Sequence, residues 1–142
     1  MISRTLRPNR AVSTLLAAAV IALPAFAHHS GAMFDNEKSI TIKGTVTEFN
    51  WTNPHSSFKV SVPNAAGKEE IWAIEMNAPQ NLMRSGWKRT TIKSGDKVSV
   101  LIRPLRDGQP GGSYMSITLA DGTKLDGTGP GQSNGTAPAY TP

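Results

Sequence analysis

A two-residue hydrophobic period recurs in five short segments of the chain and is broken once, and this constrains the fold more than any other feature. In "SITIKGTVTEF", Ile40, Ile42, Gly44 and Val46 alternate with Thr41, Lys43, Thr45 and Thr47. Successive side chains of a strand point to opposite faces, so this segment reads as a strand with one buried face. "SSFKVSV" repeats the pattern with Phe58, Val60 and Val62, and "EIWAIEM" with Trp72, Ile74 and Met76, the two joined by the turn "NAAGKE". "DKVSVLIRP" carries Val98, Val100 and Ile102. "YMSITL" carries Met115, Ile117 and Leu119 ahead of the turn dipeptide at 121–122.

The break is "NAPQNLMRSGW". Asn77 suits a helix N-cap, Pro79 its first turn and Gly86 a left-handed stop, after which Trp87 can pack back on Leu82. The order is therefore three strands, a short helix and two strands. That is the order of the OB-fold, a five-stranded Greek-key barrel with its helix between the third and fourth strands. The chain is expected to be all-β with one short helix, folded as a small OB-like barrel. A lipocalin-like meander or a small sandwich would lack a helix at that place.

The flanks carry different information. "MISRTLRPNR" holds three arginines and no acid, "AVSTLLAAAVIAL" is a short apolar run, and "PAFA" ends it with alanines at 25 and 27. A basic head, a short apolar middle and an A-x-A ending predict a secretory signal peptide over 1–27, and hence a periplasmic or secreted product. The run falls short of the roughly 20 apolar residues a bilayer span requires, so no membrane span is expected after processing. Residues 28–35 form an N-terminal segment and 36–125 the barrel domain. The stretch 126–142, rich in Gly, Pro, Ser and Thr, reads as a flexible tail. Processing removes three of the fifteen basic residues and none of the ten acids, so the net charge falls from +5 to +2. The basic balance is then no argument for nucleic acid, and no such partner is expected. With no cysteine there is no disulfide framework, thiol nucleophile or thiolate metal site.

Cleavage after Ala27 would leave His28 as the first residue, with a free amine. That amine and the ring Nδ1 can close a chelate around one metal ion, and a further imidazole would complete a nitrogen-rich site favouring Cu(II) over Mg or Ca. The arrangement is the histidine brace of lytic polysaccharide monooxygenases and some periplasmic copper-resistance proteins. The further imidazole is His29 or His55, the latter in "WTNPHSSF". If the second strand reaches back to residue 55, His55 lies on the face opposite Phe58 and Val60. Copper is thus the cofactor the pattern suggests, held by His28, His29 and His55. Zinc at the same three residues is the weaker fit, because no carboxylate or cysteine stands at metal spacing. Asp35 is the acid nearest the histidine pair. The plainer alternative is that the pair is a remnant of processing and Asn53-Pro54-His55 only a turn.

A second constellation is basic. Arg84, Lys88, Arg89, Lys93, Lys97, Arg103 and Arg106 fall within 23 positions, opposed by Asp96 and Asp107. With Trp51 and Trp87 as stacking platforms, a face bearing Arg84, Lys88 and Arg89 would suit an anionic ligand. After export that ligand is a lipid headgroup, an acidic envelope polymer or a partner protein. A solvated face that keeps the chain dispersed explains the same charges, and Trp51, Trp72 and Trp87 read equally as core or cover in place of ligand contacts. No G-x-S-x-G, H-E-x-x-H, P-loop or helix-opening G-x-G-x-x-G is present, and Glu48 and Glu75 read as isolated outward acids. An enzyme is not expected, with copper-dependent oxidation the one activity left open.

Taken together, "HHS", "MFD", "GTVTEFNWTNPHS", "LMRSGW", "GDKV" and "RPLRDGQPGG" resemble a family of small exported bacterial proteins catalogued only as a domain of unknown function. The resemblance spans His28 to about Leu125 and implies secretion and one small β domain. It brings no activity, cofactor or active site with it. Two functions follow as expectations: an exported protein binding Cu(II) through His28 and His55, or a metal-free module docking an anionic envelope polymer or partner protein through its basic face.

Overall fold

The computed structural model describes residues 32–127. The expected signal peptide, His28, His29 and residues 128–142 of the expected tail lie outside them. The elements are β1 (Ile40–Asn50), β2 (Ser57–Pro63), β3 (Glu69–Glu75), α1 (Pro79–Arg84), β4 (Lys97–Pro104), β5 (Gly111–Leu119) and β6 (Lys124–Asp126).

β1 serves two partners. Its first half pairs antiparallel with β4, from Ile40↔Ile102 to Thr45↔Lys97, and its second half with β2, from Thr45↔Ser61 to Asn50↔Ser57. A strand shared in this way must coil sharply, and Gly44 lies at the handover. A Cβ there would sit 2.8 Å from Val60 Cγ1 and closer still to the Ser61 carbonyl oxygen, so the close approach of β2 requires glycine. β2 and β3 form a hairpin, and β4 and β5 pair antiparallel. A parallel contact between β3 and β5, from Ala73↔Gly111 to Glu75↔Ser113, then joins the two ends of the strand order β3-β2-β1-β4-β5. The sheet is thereby closed into a five-stranded barrel with α1 between its third and fourth strands, which is the OB-like topology expected.

The alternating residues fill the barrel. Ile42, Val46, Phe58, Val60, Ile74, Val100, Ile102 and Ile117 are all buried in one cluster with Leu82, Trp87 and Tyr114. Burying each large side chain contributes about 1.5–3 kcal/mol, the main force holding a domain of this size together.

Bulges re-phase two strands. A register shift between Val46 and Glu48 turns Phe49 toward the core. Another between Leu101 and Ile102 sets Tyr114 opposite Ile102 and Ser116 opposite Leu101. Met115 is the inserted residue, so Tyr114 takes the place in the core cluster that strict alternation gave to Met115. The helix also starts one residue later than expected. Its N-cap is Ala78, extended at φ −60° and ψ 149° as the residue before a proline must be, and no side chain caps it. The Asn77 amide donates instead to the Gly127 carbonyl at 3.4 Å. The stop is as expected: Gly86 has φ +88°, its N–H donates to Met83 O and the Trp87 N–H to Leu82 O. β6, unexpected from the sequence, pairs with β5 across the turn at Asp121 and Gly122. Among the described residues no helix is long and apolar enough to cross a membrane.

Candidate functional site

The loop between β1 and β2, residues 51–56, carries the one histidine among the described residues. Ser56 anchors this loop. It is fully buried, its N–H donates to Asn77 O, and its carbonyl accepts from the Met76 N–H. Those two bonds fasten the loop to the C-terminal end of β3. The side chain of His55 therefore meets that of Glu75, with Nδ1 2.5 Å from Oε1. Both groups are solvent-accessible, at 53% and 42% exposure. An ionised carboxylate only accepts, so Nδ1 carries the proton of this bond, and in the neutral ring the lone pair is on Nε2. A carboxylate behind one imidazole nitrogen is the arrangement that fixes tautomer and ring orientation in metal-ligating histidines.

Glu75 also lines a groove of about 290 Å³ with Met33, Phe34, Lys59, Ala73 and Leu105. The N-terminal segment reaches this groove by pairing with the end of β4. Phe34 bridges Leu105, the Asp35 N–H donates to Pro104 O, and Arg106 donates from its N–H to Met33 O and from Nε to Phe34 O. The first described residues thus lie on the same outer β2–β3 surface as the carboxylate that holds His55. This is the face, with the β1–β2 and β4–β5 loops, on which OB-folds take their ligands.

Not every expected participant is present at this surface. His28 and His29 are outside the described residues, and among those described no three of His, Cys, Asp and Glu come together as a metal-holding group. Asp35 is engaged elsewhere, 3.2 Å from Lys38 Nζ and accepting from the Glu37 N–H. The hydrogen bond from Lys38 holds its carboxyl below the usual carboxylate range. Glu75, read from the sequence as an isolated acid, is the residue that sequence reasoning missed. The signal was available in the hairpin: a turn centred on 64–68 sets Ser57 opposite Glu75, two positions from His55.

The basic face divides. Arg84, Lys88 and Arg89 are exposed and make no ion pair among the described residues. Trp87 does not join them at the surface. It is 1% exposed, its indole N–H donates to the Tyr114 hydroxyl at 3.2 Å, and its ring packs edge-on against Tyr114 at 5.4 Å. Trp51 is half-buried against Phe49, which in turn contacts Trp87 at 6.0 Å. The two tryptophans belong to one aromatic file that covers the barrel, and Trp87 offers no surface for stacking. Lys93 is held by Asp96 at 3.2 Å and Lys97 by the Thr45 hydroxyl at 2.6 Å.

Two solved structures of the mitochondrial single-stranded DNA binding protein Rim1 from S. cerevisiae, one of them selenomethionine-labelled, are similar to this chain. Each has a TM-score of 0.45 and 15% sequence identity, covering 61% of this chain and 94% or 93% of the other. No curated protein matches. A family model described as a family of unknown function, DUF6152, matches residues 16–114. The chain, with its OB-like barrel and its His55–Glu75 pair, belongs to that family.

Proposed function

We propose that the processed chain is an exported envelope protein that binds Cu(II) through the amine and ring of His28 and through Nε2 of His55, with His29 assisting. The observation that carries this reading is the Glu75 carboxylate on His55 Nδ1, which leaves Nε2 directed away from its support as a ready ligand. Chain reach supports it further. His28 precedes Met33 by five positions, and at about 3.4 Å per step the chain between them spans up to about 17 Å from the groove that Glu75 lines. An amine and two imidazoles form a donor set that ranks Cu(II) above Zn(II) and far above Mg or Ca. In this reading the chain carries or presents the metal.

The test uses protein purified from the periplasm, with its N-terminus read by mass spectrometry and Cu(II) binding followed by EPR. A stoichiometric, nitrogen-rich spectrum is expected. It should be lost or broadened in His55→Ala and when one glycine is placed before His28. Weak binding that is the same in all three proteins, or a mature N-terminus other than His28, contradicts the reading.

A further inference from the structure

The turn after α1 presents cations in a way that a solvated face does not require. Leu82 and Trp87 are buried before the turn 88–91 and Ile92 after it, so the intervening chain is pinned at both ends. Between them the Lys88 N–H donates to the Thr91 hydroxyl at 2.7 Å and the Thr91 N–H to Lys88 O at 3.0 Å. This closed turn holds Arg89 and Thr90 at its exposed corner. Met83 and Arg84 project from the last turn of α1, immediately before it, and Met83 is 57% exposed. Asp96, the acid nearest to the turn in sequence, is engaged with Lys93 at 3.2 Å.

We infer that Met83, Arg84, Lys88 and Arg89 form a contact site for anionic lipid headgroups, by which the protein rests on a membrane surface independently of any metal. Three cations that make no ion pair among the described residues supply the attraction to an anionic leaflet, and one exposed thioether side chain supplies a small apolar insertion at the headgroup boundary. The size of the site favours lipid over protein. A stable protein interface takes about 20–30 residues from each side, whereas these groups fall within seven positions. Because the turn is held by buried neighbours and internal hydrogen bonds, little ordering accompanies contact.

Periplasmically purified protein is sedimented with phosphatidylglycerol/phosphatidylcholine vesicles and with pure phosphatidylcholine vesicles, at low and at high salt. Binding to the anionic vesicles alone is expected, and it should fall as salt screens the charges. Lys88→Glu/Arg89→Glu should weaken it at least about twentyfold, given about fivefold for each cation near an anionic surface. The control Lys43→Glu/Lys68→Glu makes the same change in net charge on other parts of the surface and should weaken it less than about threefold. Thermal melts establish that both variants fold, and Met83→Ala gives a further reading if either does not. Equal loss in the two charge variants, equal binding to neutral vesicles, or no sedimentation with anionic vesicles overturns the inference. The last result would do so even if the patch retained a protein from an envelope extract.

Discussion

Two side chains show most clearly how single groups are tuned here. Glu75 fixes the proton on His55 Nδ1, so, on the copper-binding proposal, removing its charge while keeping its shape should weaken metal binding without unfolding the barrel. Glu75→Gln is expected to lower Cu(II) affinity about 10–100-fold, read by competition titration, with an unchanged melting curve. An unchanged affinity would mean that His55 is not a ligand. Tyr114 acts structurally. Burial pushes its hydroxyl well above the usual tyrosine range, so it remains a neutral donor and acceptor: it donates to Leu125 O at 2.6 Å and accepts from Trp87. Tyr114→Phe leaves a buried indole N–H and a carbonyl without their partner, and should cost about 1–3 kcal/mol in urea unfolding. The residue scale was the least legible in the sequence. Nothing local in "YMSITL" marks the bulge that exchanges Met115 for Tyr114, because it arises from the pairing of β4 with β5. Trp87 could be placed after the helix stop, but its direction inward depends on Tyr114, 27 positions away.

Elements were far more legible, because their signals are local. Alternation marked β1 to β5, and the Pro79 and Gly86 pair bracketed α1. The N-cap was misplaced by one position because the restriction that Pro79 imposes on Ala78 outweighs the capping preference of Asn77. β6 was missed because three residues carry no readable period. Gly44 is where the two-partner strand can be tested. Gly44→Ala forces a Cβ against the Ser61 carbonyl and Val60, so it should destabilise the fold by about 1–3 kcal/mol, whereas alanine at Gly67 meets no neighbour and acts only through the backbone strain of its φ of +72°. The turn into β4 predicts a pH dependence. The Lys93 N–H bond holds the Asp96 carboxyl below its usual range, as Lys38, Lys59 and the Thr123 N–H do for Asp35, Glu48 and Asp121. A carboxyl lowered in the folded state contributes stability above its unfolded pKa, and that stability is lost as pH falls through the folded value. Stability should therefore decline below about pH 4, and Asp96→Asn should make that decline shallower in denaturant titrations across the acid range.

At the scale of the molecule, closure of the barrel joins parts of the chain that sequence reading had kept separate. Hairpin register brings Glu75 to His55, and pairing with the end of β4 brings Met33 to the same surface. The half of the site held by the barrel was thus recoverable from the β2–β3 turn, while its meeting with the N-terminal segment depends on contacts with Leu105 and Arg106. The cationic turn after α1 shares no hydrogen bond or ion pair with the His55–Glu75 pair, so the two should behave additively. Lys88→Glu/Arg89→Glu is expected to leave Cu(II) affinity within about threefold, and His55→Ala to leave vesicle binding equally unaffected. Where the proposed metal ion sits is measured directly by anomalous diffraction at the copper edge from crystals of the copper-loaded, processed protein. One strong peak is expected about 2 Å from His55 Nε2, with the ring still held by Glu75 and the chain's first amine on the same ion. A peak elsewhere, or copper bound by the N-terminal histidines while His55 Nε2 faces solvent, would contradict it.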